Sequence, residues 1–419
     1  MQIHVEKFGG ASVNSAKAVR NVINIIKSEE KKRIIVISAM GKTTNALEKI
    51  AKYRYETGKA DLASLQSLKD YHNAIITELF PNSESALSAI NDIFSSLEQN
   101  ISSIHYGSYD KLYDSIVSFG EIISTTIVSL YLNAEGIRHK FIMAADIIKT
   151  DDCFRSANVD WDATKTAIYN IIMPTFENES LILTQGFIAS TNKSEKTTLG
   201  REGSDYTAAI LAHCINATDC TIWKDVEGLL NADPKRMSHT TKINSLPYEE
   251  AVELAYYGAT IIHPKTIKPL ENRNIPLFVR SFLNPAAKGS VICRTDAIEP
   301  PVASYIFKDN QTLLSLYPKD FSFITEANIG NIFEILASHN IKVNLMQNSA
   351  VSFSVCFDNT DVLPALIEIF RHKYRTLYNE HLRLMTIRHY TQAEIDSATG
   401  SYQILIEQRS RTTAQFLVR

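Results

Sequence analysis

Lys7, Gly9 and Gly10 close an apolar run, IHVEKFGGAS, without the Gly-Lys-Ser/Thr that completes the familiar phosphate loop. Two adjacent glycines let a backbone approach a ligand and turn its N–H groups toward it, and a lysine at a strand end adds a mobile positive charge. That is equipment for an anion, although a lone Gly-Gly is also an ordinary strand-to-helix turn. The stretch TLGREGSDYTAAILA, at 198–212, has a similar character. Gly200 and Gly203 allow close approach, and Ser204 and Asp205 stand where side chains cap the first N–H groups of a helix. Between the glycines, Arg201 can grip a carboxylate with two hydrogen bonds, a geometry that lysine does not reproduce.

Three further stretches carry candidate chemistry. SFGEIIST puts Glu121 just after a glycine at the start of an expected helix, where a carboxylate either complements the helix dipole or receives a ligand's ammonium. Asp225, Gly228 and the Asp233-Pro234 turn follow the strand CTIW, and ligands of open α/β sheets sit at such carboxyl ends of strands. His263, in GATIIHPKT, is read as structural because His-Pro leads into a helical pattern.

The elements that must position these residues alternate between β-rich runs (IHVEKF, RIIVISA, LILTQGF, CTIW, PLFVRS) and helical patterns, the first over 15–28. Such alternation predicts a mainly parallel sheet covered by helices on both faces. From 45 to 113 the pattern is mostly helical, with Leu87, Ile90, Phe94 and Leu97 on one face as core. Pro300 and Pro301 break helix and ladder, marking a boundary between domains 1–299 and 300–419. Beyond it, TLLSLYP, 329–340, IKVNLMQ, VSFSVCF and 361–373 read as βαββα, followed by the strand LRLMTIRHY and a terminal hairpin, a ferredoxin-like α+β plan.

With 45% hydrophobic and 21% charged residues, the 419-residue chain has the composition of a folded protein of two or three domains. A net charge of −3 offers no global attraction to nucleic acid or acidic membranes, so an anion must be met by local cations. No apolar run is expected to reach membrane-span length and nothing resembles a signal peptide, which suggests a cytoplasmic protein. The five cysteines form no CxxC pair and leave an odd one, so reduced thiols are expected rather than disulfides or a structural zinc site.

Taken in order, KFGGAS, SAMGKTTN, FGE, TQGF, TLGREGSDYTAA, WKDVEGLLNADP and GATIIHP closely resemble the aspartate kinases of the amino acid kinase family, over essentially the whole chain. The resemblance implies a three-layer αβα sandwich with a C-terminal ACT region, ATP and Mg²⁺ as cofactors, L-aspartate as acceptor and a homodimer formed through the ACT region. It also implies transfer of the γ-phosphoryl of ATP to the aspartate side chain, the first step toward lysine, threonine and methionine. By resemblance, Lys7 meets the transferring phosphoryl, Gly9, Gly10 and Ser12 line its turn, and Asp205 orients Lys7. Arg201 clamps a substrate carboxylate, Glu121 accepts the ammonium and Thr44 hydrogen-bonds the substrate, while Lys224, Asp225, Leu230, Lys235 and Thr260 face the nucleotide. No residue is assigned as a metal ligand.

Two departures from the family pattern shape further expectations. Lys224, Leu230, Lys235 and Thr260 replace the usual threonine, tyrosine, arginine and lysine, so Lys224 is expected to reach toward the triphosphate in place of the lysine lost at Thr260. These changes also leave open a competing reading, a catalytically weak amino-acid sensor on the same scaffold. In the ACT region, a first repeat spans about 305–373 and a second, about 374–419, is expected to have lost its helices. Asn344 and Ala350 stand where lysine-sensing relatives place carboxylates, so weak lysine inhibition is expected.

Overall fold

The structure, a computed structural model, describes residues 2–29, 31–81, 83–103, 107–259, 262–320 and 322–419. It divides into two units: residues 1–229, 242–252 and 261–300 form the first, and 230–241, 253–260 and 301–419 the second. In the first unit, β1 (Ile3–Phe8), β2 (Lys32–Ile37) and the strand Leu181–Gln185 are buried along almost their whole lengths. Strands this apolar on both faces need cover on both sides.

They belong to an eight-stranded sheet in the order Ser245–Pro247, Ser290–Cys293, Leu277–Ser281, Asp219–Lys224, β1, β2, Leu181–Gln185 and β3 (Lys140–Phe141). All pairs are parallel except Leu277–Ser281 with Ser290–Cys293. Phe8, Ile35, Ile37, Leu181 and Leu183 share a buried cluster with α1 (Ala16–Lys27), α2 (Thr43–Thr57), α3 (Leu62–Leu79), α4 (Glu84–Ser103), α5 (Tyr109–Val117) and α6 (Phe119–Ala134). Alternate strand residues face the other side, where the helix Gly203–Ile215 packs on β1. The result is the expected three-layer αβα sandwich.

Ile90, Phe94 and Leu97 are buried in that cluster and Leu87 packs against it, so the stripe within 45–113 is core, as its spacing predicted. One expectation fails. Tyr109–Ala134, α5 continued by α6, is long and apolar enough by composition to cross a membrane, and 72% of its most apolar window is buried in the protein. Its apolarity serves the sandwich core, and it also carries the buried Asp114 and Glu121.

The second unit holds a six-stranded antiparallel sheet in the order Val343–Ser349, Ser352–Asp358, Ser304–Pro318, Tyr374–Arg388, Thr413–Val418 and Ile404–Arg409. The helices Glu326–Ser338 and Leu363–Arg371 cover it through a cluster that includes Leu314, Phe353, Phe357, Ile332 and Phe370. The strand expected at TLLSLYP begins eight residues earlier, at Ser304, and crosses an irregularity between Lys308 and Gln311. Asn310 adopts φ 53° within the irregularity, and the ladder resumes beyond it.

The second repeat is also less reduced than expected. It keeps a helix, Gln392–Thr399, opened by a capping box in which Thr391 and Glu394 bond each other's backbone N–H groups. Ile395 anchors it in a cluster with Met385, Ile387 and Phe416.

Candidate active site

Register decides what meets at the sheet's carboxyl edge. Phe8 pairs with Ile37 on one side and Trp223 on the other, so β1, β2 and Asp219–Lys224 run out together. The Ser38 N–H donates to the Phe8 carbonyl (3.1 Å) and the Gly41 N–H to the Gly10 carbonyl (3.1 Å), tying the two exit turns to each other. A β-carbon on Gly10 would lie 2.8 Å from the Ala39 carbonyl oxygen, which is why glycine stands there. Gly9 serves the lysine instead, since a β-carbon there would lie 3.3 Å from Lys7 Nζ.

Lys7 points to the same face as Val5, toward the helix Gly203–Ile215. Its ammonium lies 2.5 Å from Oδ1 of Asp205, in the first turn of that helix, and Lys224 Nζ is 3.6 Å from the other carboxylate oxygen. Burial opposes ionisation of Asp205, and the charges of Lys7 and Lys224 overcome it and hold the carboxyl below its ordinary range. Asp205 is therefore not a helix cap, the role its local pattern suggested. The N-cap residue is Glu202, in the left-handed conformation at φ 53°, and its side chain bonds no N–H of its own helix. The helix N-terminus thus faces the cleft without a side-chain cap, an arrangement suited to an anion.

Glu121 is not a cap either. Its Oε1 accepts the Ala39 N–H (3.2 Å) from a turn 82 residues away, and Oε2 is buried with no partner among the described residues. Gly120 permits the approach, since a β-carbon there would lie 3.0 Å from Ala39 Cβ. Burial pushes the Glu121 carboxyl up to about 8, against the opposing pull of the Ala39 N–H and Lys7.

These groups line one cleft of about 520 Å³ in the first unit. It brings together Lys7, Gly10, Thr44, Glu121, Arg201, Asp205 and Lys224 from the sequence-predicted set. Thr44 stands in the first turn of α2, whose N-terminus also lacks a side-chain cap. No described carboxylate pairs with Arg201, so its fork is open to a ligand.

Other predicted residues are placed elsewhere. Ser12 is buried behind the turn, its hydroxyl without a partner among the described residues, and Asp225 is exposed beyond the strand end; neither lines the cleft. Leu230 and Lys235 belong to the second unit, where the Lys235 N–H bonds Asp233 (2.9 Å). Thr260 lies outside the described residues. His263 is structural, as read: its ring accepts the Lys265 N–H (3.2 Å) to cap the helix Pro264–Glu271, and its backbone N–H donates to the Glu202 carboxylate (2.9 Å). Sequence reasoning missed Tyr113, Arg155, Phe187 and Glu202, all lining the cleft. Only Glu202, inside the glycine turn, carried a local signal.

The amino acid kinase family model matches residues 2–281. Lysine-sensitive aspartokinase 3 of Escherichia coli is 34% identical over 364 residues, covering 86% of this chain and 79% of that protein. The chain belongs to the aspartokinases of the amino acid kinase family. The solved E. coli aspartokinase III in complex with aspartate and ADP is similar to this aspartokinase over 100% of the chain and 96% of that structure, with TM-score 0.82 and 29% identity. The same enzyme in complex with lysine and aspartate gives TM-score 0.83 and 30% identity, again over 100% of this chain and 96% of that structure. Bifunctional aspartokinase/homoserine dehydrogenase 2 of Arabidopsis thaliana is 28% identical over 84% of this aspartokinase, which spans only 40% of that longer protein.

Proposed function

We propose that this aspartokinase transfers the γ-phosphoryl of ATP to the side-chain carboxylate of L-aspartate, giving 4-phospho-L-aspartate, the first step toward lysine, threonine and methionine. The observation that carries the proposal is Glu121, a buried carboxyl with one oxygen unpartnered among the described residues, in a cleft that also holds Lys7, Arg155, Arg201 and Lys224. A nucleotide alone brings that oxygen no cation. An amino acid brings an ammonium for Glu121 and a carboxylate for Arg201, with Thr44 left to hydrogen-bond the same acceptor.

A carboxylate attacking a polyphosphate brings like charges together, so the work is positioning and neutralisation rather than proton transfer. Lys7 supplies charge to the transferring group, Asp205 aims Lys7, and Lys224 adds a second cation on the nucleotide side. Gly9 and Gly10 keep the turn thin beside the phosphates, and buried Ser12 supports it from behind. Mg²⁺ neutralises phosphate charge when bound. Among the described residues no group of three or more His, Cys, Asp and Glu side chains is placed to hold a metal.

A homodimer through the second unit is part of this reading. Its edge strand Val343–Ser349 is largely exposed, and Met346, Val351 and Phe323 present apolar surface that a partner copy would cover. Five free thiols suit the reducing cytoplasm proposed for it. ADP release coupled to aspartate addition, with hydroxylamine trapping of the acyl phosphate, tests the reaction. Aspartate binding without ADP release would favour an amino-acid sensor instead.

A further inference from the structure

Arg155 stands at φ 66°, in the left-handed region that residues with side chains rarely occupy. Asp114 holds the turn from beneath, accepting the Arg155 N–H (2.9 Å) together with the N–H (3.0 Å) and hydroxyl (2.6 Å) of Thr198. One buried carboxylate therefore ties the Arg155 turn to the segment that leads into Gly200 and Arg201. The two turns also touch directly. A β-carbon at Gly200 would lie 2.9 Å from Ser156 Oγ and 3.3 Å from the Arg155 carbonyl oxygen.

The Arg155 side chain is aimed by stacking, its guanidinium 4.5 Å from the Tyr113 ring centroid and 5.3 Å from that of Tyr109. Its carboxylate contacts are long, 3.4 Å to Glu48 and 3.5 Å to Asp110, where charge-assisted hydrogen bonds run to about 2.7–2.9 Å. Glu48 follows Thr44 by one turn of α2. The guanidinium is thus loosely neutralised, lines the cleft on the Thr44 side, and sits on a turn packed against the one that carries Arg201. Glycine would hold the same turn without strain; what arginine adds there is a second fork.

We propose that Arg155 is a second arginine for the acceptor, exchanging Glu48 and Asp110 for a carboxylate of the amino-acid substrate and holding it together with Arg201. This rests on the acceptor proposed above, and the test separates the two. Aspartate binding to the full-length enzyme is measured by calorimetry, beside steady-state kinetics and Tm, for the wild type, Arg155→Gly, Arg155→Gln and Arg155→Lys. Loss of one charge-assisted contact is expected to raise the aspartate Kd and KM about tenfold in the glycine and glutamine variants, with ATP KM and kcat within about twofold and lysine intermediate. Glutamine keeps part of the stem over Tyr113 and carries the comparison if glycine lowers Tm. Unchanged aspartate Kd and KM in a variant of wild-type Tm overturn the role of Arg155, as does an equal rise in ATP KM. A wild type that binds aspartate without turning it over defeats the kinase reading, while the calorimetry still tests Arg155. A wild type that binds no aspartate defeats both.

Discussion

The ammonium of Lys7 lies 2.5 Å from Oδ1 of Asp205, at the foot of a cleft where both side chains are almost fully buried. Lys224 approaches the second oxygen of the same carboxylate. A buried pair of this kind is weak evidence for stability, because desolvation offsets much of the attraction. One carboxylate between two ammonium groups leaves a net positive charge, and that charge is what an incoming triphosphate and a carboxylate nucleophile require.

Lys7→Ala is accordingly expected to lower kcat by roughly 10²–10³, the scale of losing one transition-state charge donor, while aspartate binding stays close to wild type. Asp205→Asn keeps the shape but takes the carboxylate away from both lysines, and should lower kcat with a smaller change in Tm. Steady-state kinetics with calorimetric aspartate binding checks both. A Lys7→Ala enzyme with near-normal kcat would remove Lys7 from the transfer step.

Glu121 makes a prediction about pH. Its folded-state carboxyl titrates at about 8, well above an ordinary glutamate, so the folded protein holds a proton there that the unfolded chain has released. Its contribution to stability is fully present below the ordinary glutamate range and is lost as pH rises toward 8. Glu121→Gln should therefore raise the Tm of the ligand-free enzyme increasingly from pH 5 to pH 8, and abolish aspartate binding. In the wild type, an arriving ammonium favours the carboxylate, so aspartate binding near pH 7 should release a proton, and affinity should increase toward pH 8. Calorimetry in two buffers of different ionisation enthalpy measures this. Binding with no proton exchange would place the substrate ammonium elsewhere.

Much of this cleft was legible in the sequence because strand periodicity sends Lys7 to one face and because residue types announce charge. What was not legible depends on distance. Asp205 and Glu121 each look like helix caps locally, and only the arrival of Lys7 and of the Ala39 turn from far along the chain gives them other partners. Arg155 lies in a turn without a glycine, so nothing nearby advertised its conformation. The helix Gln392–Thr399 did carry a signal, Thr391 with Glu394 three residues on, but it is two turns long and has a weak apolar stripe.

Lys224 faces the cleft with its ammonium beside Asp205, and the proposal that it compensates for the lysine absent at position 260 makes a prediction of its own. Its long stem makes the shift of a charge by one loop feasible. Lys224→Ala should raise the ATP KM about 5- to 30-fold, by roughly the 1–2 kcal/mol of one partly screened phosphate contact, with little change in aspartate KM. An unchanged ATP KM would mean that the triphosphate finds its countercharge elsewhere.

Lysine inhibition is expected to be weak, in contrast to the similar E. coli enzyme, which is named lysine-sensitive. In the second unit, Asn344 donates to Gln311 (2.7 Å) and Asp358 (2.9 Å), and its carbonyl oxygen accepts from Lys308 Nζ (2.8 Å). The amide is occupied, and the ammonium beside it belongs to the chain itself. Burial lowers the Lys308 pKa, so the surroundings already carry one half-buried cation poorly. The space among Tyr256, Tyr257, Lys308, Lys342 and Asn344 holds no room for a water-sized body. A second ammonium would lose its hydration there and have to share Asp358 with Lys308, since Ala350 offers no carboxylate. Titrating lysine into the ADP-release assay should give inhibition only in the millimolar range or none. Strong inhibition at micromolar lysine, abolished by substitutions from Asn344 to Ser349, would show that these residues rearrange to admit the ligand.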